Sequence, residues 1–258
     1  MTGNALVLFG LPDVQEALRK LMKAGEEAVR WFSVIMGLSI KVRAAGFADW
    51  AGSAAKAPVD AIGDTLRGTQ GMLLDMYRRP DELLAACEQF VPLMIDMGVS
   101  TCNVTGVPLV FMPLHKGADG FMSSKQYEKF YWPSLKKVML GLVEEGCIPI
   151  MFAEGSYNQR LEIVADFPKG KAVWWFDKSD MRRVKQVLGN MARIAGNVGL
   201  DLMTAGTPDE VDAYCKELIE VVGKDGGFIL ANGCGVDHAK AENKRAMIEA
   251  GKKYGVYR

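Results

Sequence analysis

With 258 residues, of which 49% are hydrophobic and 24% charged, the chain has the composition of a folded protein and not of a disordered segment. Lys plus Arg and Asp plus Glu balance at 31 each, so no global field draws it to nucleic acid or to an anionic membrane. Five cysteines, an odd number without CxxC spacing, argue against a disulfide framework and against a zinc site closed by cysteine alone, and a reducing cytoplasm is the expected compartment.

The N-terminus has no basic region ahead of its short apolar run, and no segment offers ~18 uninterrupted apolar residues, so neither a signal peptide nor a membrane span is expected. Residues 12–45 read as one or two helices, with Val14, Leu18, Leu21, Met22, Val29, Phe32 and Met36 near helical spacing. Phe47–Ala54 reads as a short strand and residues 64–68 as a polar loop, with Arg67 a candidate anion contact. From Pro80 a helix begins, with proline in its first turn, Asp81 and Glu82 at its positive end, and Leu83, Cys87, Phe90 and Met94 along one face.

A strand–helix alternation follows. The predicted strands are 107–114, 148–153, 172–176, 191–195 and 228–231, and helices follow the cap signals at Ser123 with Gln126, at Ser179 or Asp180, and at Thr207 with Glu210. The last helix is expected over residues 241–253. Units repeating every 25 to 35 residues imply parallel strands with right-handed crossovers, in a barrel or a doubly wound sheet. A closed (β/α)8 barrel uses about 250 residues for eight strands. With about 100 residues given to N-terminal helices, the expectation is one barrel-type domain lacking its first two βα units.

In parallel α/β folds the loops at the carboxyl ends of strands carry the chemistry. The polar residues that end the predicted strands are His115, Glu154, Asp177, Asn197 and Cys234, the last in the loop Asn232-Gly-Cys-Gly235. An imidazole, two carboxylates, an amide and a thiol around one rim suit acid–base work or metal ligation, although capping also enriches polar residues at such positions. Arg160 is placed to bind an anionic group of a substrate or to pair with Glu154. His238 reads as a surface or capping residue. No P-loop, GxGxxG after a strand, HExxH or GxSxG is present, so phosphate-cradling, nucleotide-redox, zinc-protease and serine-hydrolase functions have no motif support.

Three segments, HKGADGFMSSKQYEKFYWPSLKKV, GNVGLDLMTAGTPDEVDAYCKELIE and GGFILANGCGVDHAKAENKRAMIEAGKKYGV, resemble the uroporphyrinogen decarboxylase superfamily. The resemblance implies a (β/α)8 barrel and one of two activities: porphyrin-pathway decarboxylation, or methyl transfer to or from a corrinoid protein. Decarboxylases of the superfamily carry a histidine in the final strand-end loop and an arginine-rich motif near the N-terminus; this chain has Cys234 at the first place and lacks the second. Zinc-dependent methyltransferases of the superfamily bind metal through an H-x-C pair and a cysteine in the last loop. Cys234 matches that cysteine, but Phe152-Ala153-Glu154 stands where the pair would be. The resemblance therefore implies methyl transfer with a corrinoid protein as partner, and decarboxylation as the alternative. Glu154, Asp177 and Cys234 are the catalytic candidates, His115, Arg160, Asn197 and Asn232 the substrate contacts, and Cys234 with Glu154 the candidate zinc ligands. A homodimer and a partner-dependent binding subunit without catalysis are the further expectations.

Overall fold

The computed structural model describes residues 6–256. The chain divides into two compact units, Met1–Trp50 and Ala51–Arg258. The first is a single long helix, α1 (Pro12–Ala44), preceded by a short 3-10 turn at Leu8–Gly10. Pro12 opens α1, where its missing N–H costs nothing, and none of its side chains is buried.

The second unit contains six strands in one parallel sheet of order β1 (Ser53–Ala54), β2 (Leu109–Leu114), β3 (Ile148–Ala153), β4 (Val173–Phe176), β5 (Arg193–Val198) and β6 (Phe228–Asn232). Strand order follows chain order, as successive βα units winding around one axis require. Among the described residues no strand pairs with the outer edge of β1 or of β6. The sheet is thus an arc of barrel type, with six strands where a closed (β/α)8 barrel has eight.

Alternation along the strands fixes the two faces of the arc. Val110, Met112 and Leu114 of β2, Met151 and Ala153 of β3, and Trp174 and Phe176 of β4 are buried beneath the helices. The alternate residues Phe111, Phe152 and Trp175 lie side by side on the concave face, with Phe111–Phe152 centroids 5.9 Å apart and Phe152–Trp175 centroids 4.7 Å apart, within the range of favourable aromatic pairs. The covering helices are α2 (Pro58–Ala61), α3 (Gly68–Arg78), α4 (Pro80–Thr105), α5 (Ser124–Gln126), α6 (Trp132–Glu144), α7 (Leu161–Val164), α8 (Met181–Leu188), α9 (Leu200–Ala205), α10 (Pro208–Val221) and α11 (Ala241–Tyr254). Helix α4, 26 residues long, is apolar and long enough to cross a membrane, but it lays Leu83, Cys87, Met94, Gly98 and Cys102 into the core. A Cβ at Gly98 would meet Leu142 of α6 at 2.7 Å, so the missing side chain lets these two helices approach closely.

The capping boxes at Ser123–Gln126 and Thr207–Glu210 form as expected, and Asp180 caps α8 through the backbone N–H groups of Arg182 and Arg183. Three expectations need correction. The first strand is β1, Ser53–Ala54, and not residues 47–54. Residues 64–68 are not a loop: α2 runs into a turn of π-helix, Ile62–Leu66, and α3 starts at Gly68. The fifth strand is β5, Arg193–Val198, and not residues 191–195, because its register against β4 pairs Arg193 with Val173 and Gly196 with Phe176. Asn197 therefore sits inside a strand.

Candidate functional site

The carboxyl ends of β2 and β3, together with the turn after β1, assemble a network of ionisable side chains. Asp60 and Asp64 lie four residues apart where α2 passes into the π-turn, a spacing that directs both carboxylates to one side, here toward the end of β2. Asp60 is fully buried and accepts hydrogen bonds from the backbone N–H of His115 (3.1 Å), the backbone N–H of Lys116 (2.9 Å) and the hydroxyl of Tyr131 (2.5 Å). Burial pushes its pKa up from 3.8 to about 6, against the opposing pull of the Tyr131 hydrogen bond and of the His115 and Lys116 charges. Asp60 thus clamps the turn that carries His115.

Asp64 is the hub. It accepts from Lys56 Nζ at 2.9 Å, from Lys116 Nζ, and from His115 Nδ1 at 2.6 Å. Partial desolvation works against its charge, but the hydrogen bonds from Lys116, Lys56 and His115 outweigh it and hold the carboxyl well below the usual carboxylate range. An ionised carboxylate only accepts, so the short contact requires the imidazole proton on Nδ1. In the neutral ring Nε2 is then the acceptor, and it faces Glu154 Oε1 at 3.8 Å. Glu154 is 41% exposed and His115 34% exposed, so this end of the network meets solvent at the rim.

A second group sits at the ends of β4 to β6. Asp177 Oδ2 accepts from the backbone N–H of Gly155 at 3.0 Å. The backbone carbonyl of Asn232 accepts from Trp175 Nε1 at 2.7 Å, and its side-chain amide donates to the carbonyl of Cys234. The Cys234 thiol is partly exposed, and its pKa is raised by desolvation and by the neighbouring Asp177 carboxylate, which keeps it in the weakly nucleophilic thiol form.

Two of the expected site residues turn inward. Arg160 is fully buried: its guanidinium donates to the carbonyls of Gly117 (3.2 Å), Ala118 (3.4 Å) and Met122 and to Ser124 Oγ (2.8 Å), lies 3.7 Å from Asp119, and stacks on the ring of Tyr127. It organises the loop after β2 and is not presented to a substrate anion, nor does it pair with Glu154. Asn197 is spent likewise, donating to the carbonyls of Asp177 and Ser179 at 3.0 Å each and accepting from the Tyr214 hydroxyl at 2.8 Å. Arg67 is tied to Asp75 at 2.6 and 3.1 Å. Asp60, Asp64, Lys56 and Lys116 were not anticipated; the signal available was the four-residue spacing of two aspartates just after the first strand.

The donor set expected for zinc does not fit. Among the described residues no three or more His, Cys, Asp or Glu side chains are grouped to hold a metal ion. Cys234 and Glu154 belong to the two different groups above.

A sequence profile of the uroporphyrinogen decarboxylase (URO-D) family matches residues 34–254. The chain belongs to the URO-D family. Among solved structures, this URO-D protein is similar to a methyltransferase from Methanosarcina mazei, with a TM-score of 0.68 and 20% identity over 79% of this chain and 58% of that one. It also aligns with a B12-independent methionine synthase from Shewanella sp. W3-18-1, with a TM-score of 0.46 and 14% identity over 73% of this chain and 60% of that one. The chain therefore spans less than two thirds of either protein's length. No curated protein matches it. The first likeness supports the barrel-type fold.

Proposed function

We propose that this URO-D protein is a methyltransferase that moves a methyl group between a corrinoid-carrying partner protein and a small molecule, with His115 handling the proton. The observation that carries the reading is the Asp64–His115–Glu154 arrangement. The Nδ1–H···Asp64 hydrogen bond at 2.6 Å orients the ring and leaves Nε2 free to accept a proton at the rim. An acceptor bearing O–H or S–H must lose that proton as it takes the methyl group. Its X–H bond breaks, the proton goes to Nε2, and the electron pair left on X forms the new bond to carbon. A methyl-corrinoid held by the partner would supply the methyl group and would keep the electron pair of the bond to carbon that breaks. In the reverse direction protonated His115 returns the proton to the leaving oxygen or sulfur. Glu154, beside Nε2, stabilises the imidazolium that forms.

Uroporphyrinogen decarboxylation fits less well, since a polycarboxylated substrate needs cations to hold it. The ammonium groups beside His115, on Lys56 and Lys116, are both paired with Asp64, and Arg160 is enclosed. The test incubates the protein with methylcobalamin and a thiol or phenol and follows the loss of methylcobalamin absorbance. Demethylation is expected, and His115→Asn is expected to slow it about 100-fold. Conversion of uroporphyrinogen without any demethylation would replace the reading with decarboxylation.

A further inference from the structure

None of the side chains of α1 is buried, and its large apolar residues stand open: Leu21 is 69%, Trp31 65% and Phe32 59% exposed. A contiguous apolar patch on a folded protein marks an interaction surface. This one repeats every seven residues. Val14, Leu21, Ala28, Ile35 and Val42 fall at position a of a heptad, and Ala17, Ala24, Trp31 and Leu38 at position d, so every a and d position from 14 to 42 is apolar. That period keeps one seam on the same side of the helix over four heptads and suits it to a helix of the same period. A second copy of α1 is such a helix.

We propose that α1 pairs with α1 of a second copy of this chain in an antiparallel two-helix seam centred on Gly25, which makes the protein a homodimer. The flanking residues choose the direction. Position g holds Asp13, Lys20, Glu27, Val34 and Lys41, and position e holds Leu18, Gly25, Phe32 and Ser39. In a parallel pair g faces e, which sets Asp13, Lys20 and Glu27 against the uncharged Leu18, Gly25 and Phe32. In an antiparallel pair g faces g and e faces e. Aligning Val14 with Leu38 of the second copy then brings Asp13 beside Lys41 at both ends and Leu18 against Phe32. Gly25 meets its own copy at the two-fold axis, where Ala24 and Ala28 also let the helices approach closely. Glu27 meets its copy there too, but it is already paired with Arg30 of its own helix at 3.2 Å. Opposed macrodipoles favour the same direction. The seven large apolar side chains in this seam, at roughly 100 Å² apiece, offer about 700 Å², close to the ~800 Å² that a standard interface takes from each partner.

Sedimentation equilibrium of the full chain over a concentration series is the test, and a monomer–dimer equilibrium is expected. Leu21→Glu, which puts a carboxylate into the seam twice per dimer, is expected to weaken association at least about 100-fold. Leu21 is exposed in the single chain, so this substitution leaves the buried core untouched. Asp13→Lys and Lys41→Glu each turn two attractive pairs into repulsive ones and are expected to weaken association about fivefold or more. The double variant exchanges the charges and is expected to restore the parent's association, a rescue that neither misfolding nor a parallel pair would produce. A monomer at every concentration would overturn the proposal, because α1 would then be left bare or covered from within one chain. A dimer that Leu21→Glu leaves intact would place the interface on another surface and overturn it as well. Single charge variants without effect, or weakened singles without rescue in the double variant, would overturn the antiparallel register and with it the proposal.

Discussion

Asp60 combines full burial with three hydrogen bonds, and its raised pKa makes its contribution to stability depend on pH. Between the unfolded value of 3.8 and about 6, the folded chain holds a proton that the unfolded chain has already released. Stability from this group therefore falls as pH rises through that window and levels off above about 6. Asp60→Asn removes the titration and turns an amide N–H toward one of the three donors, at a cost of about 1–3 kcal/mol. Urea denaturation over a pH series is expected to show that cost largest at the acid end and narrowing toward neutrality; a cost that widens with rising pH would contradict the assignment. At this scale the positions of His115, Glu154 and Cys234 just beyond strand ends were legible, because each follows an apolar run that ends abruptly. Asp60 and Asp64 were not, because the short helical turn that carries them is set by contacts with the end of β2 some fifty residues away. Arg160 misled for the same kind of reason: an arginine in a strand-end loop looks exposed until the carbonyls that enclose it are placed.

At the scale of elements, signals confined to four or five residues were readable. Thr207 Oγ1 accepts from the Glu210 N–H at 3.4 Å and the Glu210 carboxylate accepts from the Thr207 N–H at 2.8 Å, so both ends of the box are written in the residues themselves. Thr207→Ala is expected to destabilise the protein by about 1 kcal/mol, and Thr207→Ser to restore most of it, as measured by urea denaturation. An effect near zero would mean that packing of α10, through Val211, Cys215 and Leu218, holds the helix end without the cap. Strand β5 was placed two residues early because Met191 and Ala192 are apolar, while Asn197 and Val198 follow a glycine that reads as a stop. The pairing of Val198 with Asn232 across the ladder to β6 keeps that segment in the sheet. The π-turn at Ile62–Leu66 carries no local signature that separates it from a loop.

Over the whole molecule, the buried hydrophobic cluster begins at Ala55 and lies within the unit Ala51–Arg258, whereas α1 buries none of its side chains. Removal of residues 1–50 is therefore expected to leave a cooperatively folding remainder with its near-UV circular dichroism retained; loss of the cooperative transition would show that the sheet depends on the first unit. The parallel, barrel-type architecture and its family were legible from the repeated βα spacing and the three quoted segments, since apolar periodicity directly encodes which face of each element is buried. The polar rim was legible only as a set of strand ends. Which of those residues meet was decided by tertiary structure. Sequence position orders the strands, but the register of β1 to β6 and the turn after β1 determine that Asp64, His115 and Glu154 converge while Arg160 and Asn197 are consumed within the protein. Hydrogen bonding and desolvation act over a few ångströms of space, and residues 64, 115 and 154 become neighbours only after the sheet has formed.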